Sequence, residues 1–215
     1  MKAIKYLLLG SLIFLCLLTV SSAQAQRKAF AGKITYEPVH DDRSEIDGMR
    51  IPTRVEFVAL GTKVRYTEHV DGASRTVISN YETRQQHVLF DFLGQKIALV
   101  APLIDPSEVN PPIIGDEGNV PQDALPIAGY PGKSIQIDDQ TVIYSDRFLL
   151  RDPSLPGVPG LPLEYTIPKT NARFRAVSIS NEIPNDSHFV IPPDYTVVTP
   201  EEMQRMFSTS PSEDQ

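Results

Sequence analysis

The sequence predicts a mostly β protein, an antiparallel sheet followed by a short C-terminal helix, and three observations carry that prediction. Apolar and polar residues alternate with period two in about ten short runs, the pattern of half-buried strands. Gly and Asp stand between neighbouring runs, where hairpin turns need them. One helix-start signal lies near the C-terminus. The 215 residues are 41% hydrophobic and 22% charged, which is typical of a globular domain.

The first 25 residues are predicted to be a secretory signal. Lys2 and Lys5 form a basic start, and the apolar run 6–20 is too short for a comfortable membrane span. Small residues then lead to a predicted cleavage site after Ala25. The alternative is a retained N-terminal anchor.

Composition narrows the class of the mature chain, which we divide into a single β-rich domain (26–208) and a disordered acidic tail (209–215). The only cysteine, Cys16, lies in the predicted signal, so the mature chain has neither a disulfide nor a cysteine zinc site. The net charge of −7 argues against a nucleic-acid partner. We expect an exported protein, periplasmic or extracellular, without a membrane span after signal cleavage.

The strands follow one another along the chain with short turns between them. In the run from Lys63 to Val70, for example, Val64 and Tyr66 alternate with charged residues. The predicted strands are Phe30–Tyr36, Thr53–Leu60, Lys63–Val70, Arg75–Tyr81, His87–Phe92, Gln95–Val100, Ser134–Ile137, Val142–Tyr144, Leu163–Ile167 and Ala172–Ser180. The apolar face changes within the last run, which predicts a β-bulge there.

The helix begins at a capping box. Thr199 is the predicted N-cap, Pro200 occupies the first helical position and Glu202 reaches back to the cap. An apolar stripe of Met203, Met206 and Phe207 predicts that the helix packs on the sheet.

Two proline-rich segments interrupt the strands. Ala101–Ile127 combines prolines and acids with several aliphatic residues, and we predict a long connection that is either a lid over an apolar sheet face or a surface loop. Asp152–Pro162 alternates Pro with Gly, which predicts tight turns and not a phosphate-binding loop.

Three stretches resemble the secreted GLPGLI family: 127–134 (IAGYPGKS), 141–145 (TVIYS) and 157–165 (GVPGLPLEY). The two ends of the mature domain are also similar to that family, so the resemblance spans about residues 30–207. Gly132, Tyr144, Val158 and Pro162 depart from the family pattern.

The resemblance implies a fold similar to the periplasmic lipoprotein carriers, a curved antiparallel sheet forming an incomplete half-barrel whose concave face holds acyl chains. We therefore expect a non-enzymatic binding or carrier protein for an apolar or acylated ligand. The residues predicted to line its cavity are Tyr36, Phe57, Tyr66, Phe90, Tyr144, Tyr165 and Phe174. Lys133, Arg173 and Arg175 are predicted to hold an anionic head group, although an ordinary solvated sheet face is the simpler interpretation.

No motif in the sequence points to catalysis or to a bound metal or cofactor. Pairs of histidines with the spacing of a metalloprotease are absent, as are the nucleophile motifs of common hydrolases. We predict no catalytic residue, no metal site and no cofactor. The alternative function is a cell-envelope structural or protein-interaction module that contacts another protein through the sheet edge or the proline-rich loops. A hydrolase is the third interpretation and would require titratable groups that meet in a cleft.

Overall fold

The computed structural model describes most of the mature domain. The described residues are 28–39, 45–46, 49–92, 94–103, 120–137, 140–150, 158–167 and 171–208. The predicted signal, the predicted acidic tail, and most of both proline-rich segments lie outside them.

The mostly β prediction is confirmed, since strands dominate the described chain. The sixteen strands are, in chain order, β1 (Lys28–Ala29), β2 (Gly32–Pro38), β3 (Glu45–Ile46), β4 (Met49–Arg50), β5 (Arg54–Leu60), β6 (Lys63–Val70), β7 (Ala73–Asn80), β8 (Gln85–Phe92), β9 (Gln95–Pro102), β10 (Gln122–Ile127), β11 (Tyr130–Ile137), β12 (Gln140–Ser145), β13 (Phe148–Leu149), β14 (Leu161–Ile167), β15 (Ala172–Ser180) and β16 (Thr196–Val198). A 3-10 helix covers Asp186–Phe189, and α1 covers Pro200–Ser208.

Twelve of the strands form one curved sheet in the order β10-β11-β12-β14-β15-β2-β5-β6-β7-β8-β9-β16. Neighbours are antiparallel except for β16, which runs parallel to β9. The described strands do not close into a barrel, because β10 and β16 remain at opposite edges. The expected open, curved architecture is thereby confirmed.

The turns have the backbone geometry that their residues predict. Asp71 and Gly72 both have positive φ, 46° and 81°, as a two-residue hairpin of the type I′ kind requires. The predicted bulge in β15 is also present, where the pairing with β2 shifts register between Ala176 and Ser178.

One face of the sheet, the inner face, holds the main core. Side chains from β2, β5, β11, β12, β14 and β15 meet there, so the sheet curls around this face. A buried hydrogen bond joins β2 to β14 across this core, since the Tyr36 hydroxyl donates to the carbonyl oxygen of Pro162 at 2.9 Å.

The opposite, outer face of β6–β9 is covered by the segment 181–195, which we call the strap. Lys63 Nζ lies 2.7 Å from Asp186 Oδ1, and Lys96 Nζ lies 2.6 Å from Asp194 Oδ2. Three side chains of the strap pack against the sheet beneath it. Phe189, Ile191 and Tyr195 contact the buried side chains of Ile78, Leu89 and Ala98.

The C-terminal helix begins as predicted. The backbone N–H of Glu202 donates to Thr199 Oγ1 at 3.2 Å, and the backbone N–H of Thr199 donates to Glu202 Oε2 at 2.8 Å, which completes the capping box. Helix α1 contacts β9, but Met203 is only half-buried and Met206 is exposed. Packing of the apolar stripe is therefore confined to Met203 among the described side chains.

The sequence predicted that Ala101–Ile127 would be a long connection, but both of its ends form strands. Strand β9 continues to Pro102, and β10 begins at Gln122. Strand β10 lacked an alternating apolar pattern because it is an edge strand with most of its side chains exposed.

Candidate functional site

The seven aromatic residues predicted to line a cavity fall into two groups. Five of them are buried among other core side chains: Tyr36, Phe57, Tyr144, Tyr165 and Phe174. Tyr66 and Phe90 are half-buried and lie on β6 and β8, and Tyr66 packs against the margin of the main core, with its ring centroid 6.4 Å from that of Phe57. Of the seven, these two are the ones that solvent reaches.

Tyr66 belongs to a row of apolar side chains that crosses the inner face at right angles to the strands. Cross-strand pairing joins, in order, Phe57, Tyr66, Val77, Val88, Leu99 and Val198. Because directly paired residues point to the same side of a sheet, the whole row lies on the inner face. The two ends are buried, whereas the central four residues are half-buried. We call these four, Tyr66, Val77, Val88 and Leu99, the apolar row.

One charged pair lies beside the apolar row. Glu68 of β6 is directly opposite Arg75 of β7, and Glu68 Oε2 is 3.6 Å from Arg75 Nη1. The Tyr66 hydroxyl donates a 3.1 Å hydrogen bond to Glu68 Oε1. This group therefore places a phenol, a carboxylate and a guanidinium next to apolar side chains. Sequence analysis had not singled out Glu68 or Arg75, although the two-residue spacing already put Glu68 on the face of Tyr66 and Arg75 on the face of Val77.

The three cations predicted to hold a head group lie in two separate ion-pair sets. Arg173 Nε is 3.2 Å from Glu164 Oε1, and Arg175 pairs with the other oxygen of the same buried carboxylate. Lys133 Nζ is 2.6 Å from Asp146 Oδ2, and this hydrogen bond and charge raise the pKa of Lys133. The structure brings the two arginines together around Glu164, and it pairs the lysine with a different acid.

A second polar cluster, on the outer face, centres on Glu56. Its carboxylate accepts ion pairs from Lys33 and Arg54, each at 2.7 Å, and lies 4.0 Å from His69 Nε2. Partial burial raises the pKa of Glu56, but the hydrogen bond from Lys33 and the neighbouring positive charges outweigh it and leave the pKa below its usual value. An ionised carboxylate held by two cations fits a structural ion-pair network better than a general base.

Within the described ranges, no three His, Cys, Asp or Glu side chains are grouped so that they could hold a metal ion. No described helix is both long and apolar enough to cross a membrane.

Comparison with solved structures shows a distant likeness. No protein-family model matches the chain, and no curated protein matches it. A chain from a solved structure of PNGF-II is similar with 14% sequence identity and a TM-score of 0.47. The match covers 84% of this chain and 34% of the PNGF-II chain, so this chain spans about a third of the length of that protein.

Proposed function

We propose that this protein is an exported, non-enzymatic binding or carrier protein for an apolar or acylated ligand. The observation that carries the proposal is the contrast between the two faces of β6–β9. On the outer face, Ile78, Leu89 and Ala98 are buried because the strap covers them. On the inner face, the four residues of the apolar row are only half-buried, although Val64 and Ile97 on the same face are buried.

An acyl chain laid along the apolar row would complete that burial. The four side chains span three inter-strand spacings, about 14 Å, which gives a chain several methylene groups to bury. Each buried methylene contributes about 0.8 kcal/mol. Export and membership of the GLPGLI-related family are further parts of the proposal, and the N-terminal signal pattern and the three resembling stretches support them.

The test is lipid uptake by the mature chain, purified without detergent and measured by native mass spectrometry and by displacement of a fluorescent fatty acid. Val88→Glu places a charge in the apolar row, and we expect affinity to fall at least about tenfold because an acyl chain would then lie against a carboxylate. Val177→Glu is the matched control, because Val177 is an exposed valine on β15, away from the apolar row.

The expected result is uptake by the wild type and by the Val177 variant, with weak uptake by the Val88 variant. Circular dichroism verifies that both variants are folded. If the wild type takes up neither fatty acid nor phospholipid, the carrier function is refuted. If the two variants bind equally well, the ligand lies somewhere other than the apolar row.

An envelope interaction module is the second candidate, and one observation favours it. Leu125 is 85% exposed on β10, an edge strand that pairs on one side only with the described strands, and an edge of this kind can add a partner strand. In that case, crosslinking in cells would isolate one stable partner protein. Leu125→Asp would abolish the crosslink and Val88→Glu would not.

A further inference from the structure

We infer that the ligand of the inner face carries an anionic head group and that Arg75 binds it. This inference rests on the proposed function and assigns the chemical class of the ligand, a single-chain amphiphile with a carboxylate or phosphate head. The supporting observations are the position of Arg75, the charge of the surrounding face and the geometry of its ion pair with Glu68.

Arg75 shares the inner face with the apolar row. It lies two positions before Val77 on β7, and side chains at that spacing point to the same side of a strand. It is also paired in register with Glu68, which follows Tyr66 at the same spacing. Pairing from β5 to β9 has no register shift, so the assignment of faces holds across all five strands.

The inner face of these five strands is otherwise uncharged. Alternation along β5–β9 places on this face only two charged residues of the described chain, Glu68 and Arg75. The other cations of the five strands lie on the outer face, and two of them, Arg54 and Lys63, form ion pairs there. Among the described residues of these five strands, the guanidinium of Arg75 is therefore the one cation that an anion would meet at the apolar row from the inner side.

The guanidinium retains capacity to bind an oxyanion. Its side chain is 60% exposed, and its contact with Glu68 is long, 3.6 Å, compared with 2.7 Å for the Arg54–Glu56 pair. Glu68 is in turn held by the Tyr66 hydroxyl. A guanidinium has five N–H donors in a planar fork, so it can contact Glu68 and still present donors to a carboxylate or phosphate. The acyl chain would then extend from Arg75 over Val88 and Leu99.

The test compares two lysophospholipids that have the same palmitoyl chain, the anionic lysophosphatidylglycerol and the zwitterionic lysophosphatidylcholine. Their affinities are measured by displacement of a fluorescent fatty acid, below the critical micelle concentration. Arg75→Gln is the test variant, and Arg54→Gln is the matched control, since Arg54 is also a half-exposed arginine paired with a partly buried glutamate, but on the outer face. We expect the wild type to prefer the anionic lipid and Arg75→Gln to bind it about fivefold more weakly.

An electrostatic contribution of Arg75 to lipid affinity is recognised because it depends on the charge of the head group and on the salt concentration. Arg75→Gln should leave the affinity for lysophosphatidylcholine unchanged, and raising the salt concentration should erase the anionic preference of the wild type. Equal binding of both lipids by the wild type, with no effect of Arg75→Gln, would overturn the inference and leave the proposed function standing. Binding of neither lipid would refute the proposed function itself, and a loss caused by Arg54→Gln alone would place the head group on the outer face.

Discussion

The hydrogen bond from Tyr36 to Pro162 provides a direct test of how the inner face is held together. It joins β2 to β14 across the core, and both residues are almost completely buried. Tyr36→Phe removes only the hydroxyl and leaves the Pro162 carbonyl without this donor in a site that water does not reach. Leaving a buried acceptor unsatisfied costs about 1–3 kcal/mol. We therefore expect the free energy of unfolding to fall by that amount.

Urea unfolding followed by circular dichroism measures this loss, and Tm should fall by about 2–4 °C for each kcal/mol in a protein of this size. Tyr66→Phe is the matched control, because its hydroxyl bonds to Glu68, whose side chain is 21% exposed and accessible to water. The control should cost less than about 1 kcal/mol. A loss for Tyr36→Phe no larger than that for Tyr66→Phe would refute the view that burial determines the cost.

Two further predictions concern a glycine and a histidine. A Cβ at Gly160 would lie 2.3 Å from the Ser145 carbonyl oxygen, so Gly160→Ala should destabilise the protein by about 3 kcal/mol in urea unfolding. Gly72→Ala meets open space at positive φ and should cost only about 1 kcal/mol, and equal losses would contradict the steric argument. Burial lowers the pKa of His87 below 6.5, so the unfolded state binds the proton more readily and stability falls as pH decreases through 6.5. His87→Gln should flatten the stability profile between pH 7 and 5, and an unchanged slope would exclude His87 as its source.

Local patterns in the sequence predicted most of the strands and the helix. Alternation located β6 with its observed bounds, and β15 with both its bounds and its bulge. The capping box at Thr199 predicted the helix start, because all the atoms that form it lie within four consecutive residues. Strand β10 was missed because an exposed edge strand has no buried face to impose alternation.

The candidate site could be predicted only in part. Tyr66 and Phe90 lie half-buried on the inner face, but the sequence could not distinguish them from Phe57, which is completely buried. Period two assigns a residue to one of two faces, and it carries no information about what covers that face. The strap illustrates the limit, since Leu89 and Phe90 are adjacent and both apolar, and only the tertiary structure shows that the strap buries Leu89.

The sequence by itself determined where most of the longer strands lie, where hairpins turn and how the helix begins, because these features depend on neighbouring residues. Tertiary structure decided the order of the strands, the pairing of Glu68 with Arg75 and the separation of Lys133 from Arg173. These depend on contacts between residues distant in the chain, such as Tyr36 and Pro162, which are 126 positions apart. Register is set by summed packing across a sheet, so it becomes visible only when all the strands are in place.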